Sequence, residues 1–215
     1  DGDITGLTSN PTIFQQAISG SNDYDVTISK LSSMGFDAED IFYALASEDI
    51  RQAADIFKSV YDSTGGTDGY VSLEVSPRLA MDTAETVNEA IELWGKVNRP
   101  NLMIKIPATI PGLEAITMAI SAGINVNVTL IFSVERYSKV IDAYITGLEK
   151  RLDSGHDINN VNSVASFFIS RIDTLVDARL DEMSLDDVDT DTIRGGTAIA
   201  NANLAYNLFQ NSISS

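Results

Sequence analysis

The run Leu102-Met103-Ile104-Lys105-Ile106-Pro107 limits the fold more than any other stretch. Residues of both parities are apolar, so both faces of a strand built from it need cover, as in a parallel sheet flanked by helices. Lys105 is the exception inside that run. An ammonium buried without a partner costs roughly several kcal/mol. Burial lowers a lysine's pKa from its usual ~10.4, and a neutral amine attacks carbonyl carbon. One reading is therefore a Schiff-base lysine. The other is a strand-end lysine whose head reaches solvent or an ion pair.

The rest of the chain alternates strand and helix. Strands are expected at Ile4–Ser9, Tyr70–Val75, Leu102–Pro107, Ile124–Phe132 and Val161–Ile169. Between and after them, helical patterns cover Pro11–Ser19, Tyr24–Met34, Thr83–Val97, Leu113–Ala122, Val134–Leu152, Ile172–Leu180 and Gly195–Phe209. A long helix capped by Asp37 carries the stripe Ile41, Phe42, Leu45, Ile50, Ala54, Phe57 and Tyr61, with a break expected near Ser47. Asp82 with Glu85, and Ser133, are further N-cap signals.

Two strands carry polar groups on one parity. Ser72, Glu74 and Ser76 alternate with Val71, Leu73 and Val75. Asn125, Asn127 and Thr129 alternate with Ile124, Val126, Val128 and Leu130. Three polar groups in a row need partners if buried, and a wet barrel mouth would supply them. Glu74 reads either as an acid/base group or as a solvated carboxylate. Asn10, before Pro11, reads as a turn former or a site amide at a strand's carboxyl end. Arg171, after the strand bearing Ser166 and Phe168, reads as an anion clamp or as an ion-pair partner of Asp173 or Asp177.

Composition removes other classes. A chain of 215 residues with 44% hydrophobic content can build one core, taken as one domain over 1–215. Formal net charge is −17, which repels nucleic-acid backbones; the acidic cluster at Asp181–Asp191 reads as solvated surface. There is no cysteine, which excludes disulfides and thiolate metal sites and agrees with a cytoplasmic location. The one histidine, His156, lies in a polar loop, leaving little room for a Ser-His-Asp triad or a histidine metal site. No apolar run reaches the ~18–20 residues of a membrane span, and no GxGxxG or GxxxxGK[ST] motif is present.

The segments Leu7–Phe14, Asp68–Pro77, Asn101–Thr109, Gly123–Ser133 and Ser163–Asp173 together resemble the transaldolase family, and they follow that family's order. The likeness is to the longer bacterial transaldolases rather than the short fructose-6-phosphate aldolases. It implies an α/β fold: a (β/α)8 TIM barrel, here incomplete, spanning about strands two to six. It implies a cofactor-free, metal-free enzyme of the pentose phosphate pathway. Such an enzyme transfers a dihydroxyacetone unit from sedoheptulose 7-phosphate or fructose 6-phosphate to an aldose phosphate through a lysine Schiff base. By resemblance, Lys105 is that lysine, Glu74 and Thr129 hold a catalytic water, and Asn127 lies near the carbinolamine. Asn10 and Ser166 contact the dihydroxyacetone part, Phe168 lies beside the site, and Arg171 binds phosphate. The implied partners are small sugar phosphates, with self-association left open.

The family also carries an aspartate on a strand ahead of the Asn10 motif, and a second phosphate-binding arginine on later strands. Neither has a counterpart here; Asp1 and Asp3 fall in the following loop. The chain is thus expected to be truncated at both ends and weakly active or inactive by itself. The rival readings are a fructose-6-phosphate aldolase-like enzyme and a non-catalytic sugar-phosphate-binding fragment.

Overall fold

The computed structural model describes residues 4–183 and 193–213. Asp1, Asp3 and most of the acidic cluster lie outside the described residues. Among the described residues five strands form one sheet in sequential order, β1 (Leu7–Thr8), β2 (Val71–Glu74), β3 (Leu102–Pro107), β4 (Val126–Ile131) and β5 (Ser163–Phe167). Every neighbouring pair is parallel. This is the wall of a barrel left open, as the strand rhythm suggested. The helices are α1 (Pro11–Gly20), α2 (Asp25–Ser33), α3 (Ala38–Ser63), α4 (Thr83–Val97), α5 (Ile110–Ser121), α6 (Val134–Asp153), α7 (Ser170–Glu182) and α8 (Thr197–Ile213).

The period-two pattern sorts the two sheet faces. Val71, Leu73 and Val75, Leu102, Ile104 and Ile106, and Val126 and Val128 pack with helix residues such as Ala54, Ala90, Leu93, Ile116 and Ile120 into one buried cluster. The opposite parity, with Ser72, Glu74, Lys105, Asn127 and Thr129, forms the concave face. Its register places Glu74, Lys105 and Asn127 side by side across three strands.

Local signals set the helix starts. Asp37 accepts from Glu39 and Asp40 backbone N–H groups, Asp82 from that of Glu85, and Ser133 from that of Arg136. Several boundaries differ from expectation. The helix α3 runs unbroken through Ser47, because the stripe Ile41, Leu45, Ile50 and Ala54 stays buried on both sides of it. The helix α5 begins at Ile110 rather than Leu113. Thr109 caps it, and Pro111 sits in the first turn, where a missing N–H is harmless. The helix α7 begins at Ser170 rather than Ile172, so Arg171 belongs to its first turn and not to the strand end. The strands β1 and β5 are also shorter than expected, at Leu7–Thr8 and Ser163–Phe167.

Candidate functional site

Lys105 is only 8% exposed, at the centre of the concave face. Its ammonium donates to Glu74 Oε2 at 3.2 Å and to the Ser9 carbonyl at 3.4 Å. The pair is well shielded, with side-chain exposures of 10% for Lys105 and 15% for Glu74. The cost of burying the charge is thus met by a carboxylate and a backbone dipole. The lysine is buried within the strand, and its head meets an ion-pair partner, as the second of the two sequence readings allowed.

Beside it runs a chain of neutral polar groups. The Asn127 Nδ2 donates to Ser72 Oγ at 3.0 Å, and Ser166 Oγ donates to Asn127 Oδ1 at 2.8 Å. The Ser9 hydroxyl donates to the Ser72 carbonyl at 2.6 Å, fastening the end of the two-residue β1 to β2. These bonds hold the Asn127 amide at both ends, directly next to Lys105 in register. Thr129 is buried at 1%, and its hydroxyl makes no hydrogen bond to a described residue. It is therefore free to take a partner from within the site.

Other candidates divide between structure and site. Asn10 is the N-cap of α1: its Oδ1 accepts from the Ile13 N–H at 3.0 Å. Its Nδ2 makes no hydrogen bond to a described residue. Asn125, on the same strand parity as Asn127, ties strand beginnings together at the far end. Its Nδ2 donates to the Pro100 and Leu102 carbonyls, and its Oδ1 accepts from Asn162 N–H. Arg171 is exposed, with its guanidinium 4.7 Å from the centre of the Phe168 ring. Neither Asp173 nor Asp177 forms the ion pair with Arg171 that the sequence allowed. Asp173 accepts from Ala198 N–H and Asp177 from Gly195 N–H, so both hold the start of α8.

Behind Glu74 lies a second carboxylate cluster that sequence reading missed. Glu89 accepts from the Ser76 N–H, and Glu39 accepts from the Ser76 hydroxyl at 2.8 Å. Burial pushes the Glu89 carboxyl above the usual carboxylate range, against the opposing effect of the Ser76 bond, with the Glu39 charge adding to the rise. Burial likewise raises the Tyr43 phenol, helped by the nearby Glu89 charge. Ser9 and Ser72 were also missed as site residues. The signal was present for Ser72, which shares its strand parity with Glu74.

Comparison with known proteins shows the family. The family model described as Transaldolase/Fructose-6-phosphate aldolase matches residues 1–215. A transaldolase of Saccharopolyspora erythraea is 52% identical over 207 residues, covering 96% of this chain and 55% of the relative. One of Thermobifida fusca is 51% identical over 212 residues, covering 99% and 57%. Transaldolase 2 of Streptomyces coelicolor is 51% identical over 207 residues, covering 96% and 55%. The chain thus spans a little over half the length of these curated relatives. With a buried strand lysine on the concave face of a parallel β/α sheet and a family match over its whole length, the chain belongs to the transaldolase/fructose-6-phosphate aldolase family.

Proposed function

We propose that this chain carries the Schiff-base centre of a transaldolase, with Lys105 as the nucleophile. The carrying observation is the shielded Lys105–Glu74 contact beside a doubly held Asn127 amide. Proton transfer from the Lys105 ammonium toward the Glu74 carboxylate yields the free amine. The amine adds to the C2 carbonyl of a ketose phosphate, and water leaves to give an iminium. Cleavage of C3–C4 sends its electron pair into the iminium, forming an enamine. The proton of the C4 hydroxyl goes to a base, taken by family resemblance to stand on a strand ahead of β1, and C4 departs as the aldehyde carbon of an aldose phosphate. The enamine carbon then attacks the aldehyde carbon of an aldose phosphate, whose oxygen takes up a proton, and hydrolysis frees Lys105.

In this reading Glu74 and the unpaired Thr129 hydroxyl hold the water that shuttles protons at the carbinolamine. Asn127, Ser166 and Asn10 bind the dihydroxyacetone hydroxyls and carbonyl. Phe168 walls the site, and Arg171 takes the phosphate. Sedoheptulose 7-phosphate and fructose 6-phosphate are the donors, within the pentose phosphate pathway. The test is chemical trapping. Incubation with fructose 6-phosphate followed by borohydride should leave a reduced adduct that mass spectrometry maps to Lys105. Lys105→Ala should abolish it. An adduct on another lysine, or an undiminished yield in Lys105→Ala, would remove Lys105 from the role.

A further inference from the structure

The carboxyl end of β4 departs from its own pattern. Val128 pairs with Ala165 and Ile131 with Phe167, so β4 takes three steps where β5 takes two. The extra residue is Leu130, which has a φ of +59° and is 37% exposed. A leucine in the left-handed region is strained, and such positions cluster at functional sites. The bulge has a definite consequence. Without it, Phe132 would share the parity of Val126 and Val128 and point at the helices. With it, Ile131 takes that side, fully buried, and Phe132 turns toward the mouth of the concave face, 39% exposed.

There Phe132 meets Phe168. Their ring centres are 5.1 Å apart with the planes tilted by 32°. The Phe168 ring also meets the Arg171 guanidinium, at 4.7 Å. Regular bonding resumes past the bulge, with Phe168 N–H donating to the Ile131 carbonyl at 2.8 Å. Asn201 of α8 holds the Phe132 carbonyl through its Nδ2 at 3.0 Å. The Phe168 ring thus contacts both Phe132 and the Arg171 guanidinium. Arg171 is exposed and forms no ion pair with a described residue, so the Phe168 ring is what orients it.

We propose that Phe132, re-aimed by the Leu130 bulge, is a positioning residue that sets the Arg171 guanidinium, through Phe168, for a phosphate monoester dianion. The proposal rests on the reading of Arg171 as the phosphate clamp. A cation held on a ring face keeps its edge N–H groups free to fork onto an anion. Removing the Phe132 ring frees Phe168 to tilt, and the guanidinium loses its platform.

Two measurements test it separately. In nuclear magnetic resonance spectra of the chain, ring current from Phe168 should shift the Arg171 side-chain protons upfield. Phe132→Ala should remove most of that shift, Phe132→Tyr should keep it, and Phe168→Ala serves as the zero point. Borohydride trapping then supplies half-saturation values. Phe132→Ala should weaken fructose 6-phosphate about 2- to 5-fold, the scale of an exposed cation–π contact. It should leave dihydroxyacetone and the limiting trapping rate unchanged, with Phe132→Tyr restoring the loss. An unmoved Arg171 signal in Phe132→Ala overturns the proposal, and so does equal weakening of both ligands. If Arg171→Ala leaves fructose 6-phosphate unaffected, the clamp reading fails by itself, and the spectra still decide whether Phe132 orders Arg171.

Discussion

At the scale of single residues, the molecule separates groups whose charge is partnered from groups whose charge is a burden. Lys105 and Glu74 neutralise each other at 3.2 Å. Among the described residues Glu89 has no such cation in contact; it faces Glu39 and Glu92, with Lys96 as the modest compensation. Its folded-state pKa is raised above the ordinary 4.5 mainly by burial. The folded chain therefore holds this proton more tightly than the unfolded chain. Stability falls as pH rises from the ordinary value through the raised one, and above that window the cost is fully present. Glu89→Gln keeps an acceptor for the Ser76 N–H and removes the charge. It should melt at a higher temperature than the parent at pH 7, with the difference closing as the pH drops below 4.5. The exposed Glu149→Gln controls for the loss of one negative charge from a chain at −17. A gain in Glu89→Gln no larger than in the control, or one independent of pH, would contradict this account.

At the scale of elements, alternation and caps were legible because they are local. Leu102–Pro107 and Thr83–Val97 lie where the pattern put them, and Asp37, Asp82 and Ser133 cap as expected. The Leu130 bulge was not legible, because nothing in Thr129-Leu130-Ile131 signals a left-handed leucine; the register with β5 imposes it. Nor was the split between Asn125 and Asn127, which share a parity but bond at opposite ends of the site. The Asn127 partners come from residues 55 and 39 positions away, beyond the reach of any local pattern. Another long-range feature is the close crossing of α5 and α6. A Cβ built on Gly147 would lie 2.7 Å from Ile120 side-chain atoms and 2.9 Å from the Thr117 carbonyl. Backbone cannot yield as a flexible side chain does. Gly147→Ala gains helix propensity of up to ~1 kcal/mol, yet overpacking costs about 1–3 kcal/mol. Net destabilisation of about 1–2 kcal/mol in urea unfolding is expected. A stabilised Gly147→Ala would show that α5 and α6 can separate without penalty.

At the scale of the whole molecule, two opposing forces act on an open sheet. The strands β1 and β5 each pair on one side only among the described residues. A closed barrel of this type has eight strands and no edges. The β5 side is also apolar: a cavity of about 540 Å³ lies between α6, β5 and α8, lined by Tyr144, Ile145, Val164, Tyr206 and Phe209 among others. Val164 is 45% exposed, Tyr206 59% and Phe209 41%, so this face offers both unpaired backbone and apolar surface. Against association stands the net charge of −17. Charge repulsion between copies is screened by salt, the Debye length falling from about 10 Å at 0.1 M to about 3 Å at 1 M. Apolar contact is not weakened by such screening. The 215-residue chain should therefore self-associate more strongly at 1 M sodium chloride than at 0.1 M, as read by sedimentation velocity over a range of protein concentrations. Val164→Lys places a charge on the β5 edge, a common device for blocking strand addition, and should shift the high-salt population back toward monomer. Trapping of Lys105, which lies on the central β3 two strands from either edge, should be the same in both populations if the association uses the edges alone. A chain that stays monomeric at both salt concentrations, or a Val164→Lys variant that associates as the parent does, would show that the β5 edge is already shielded by its own helices.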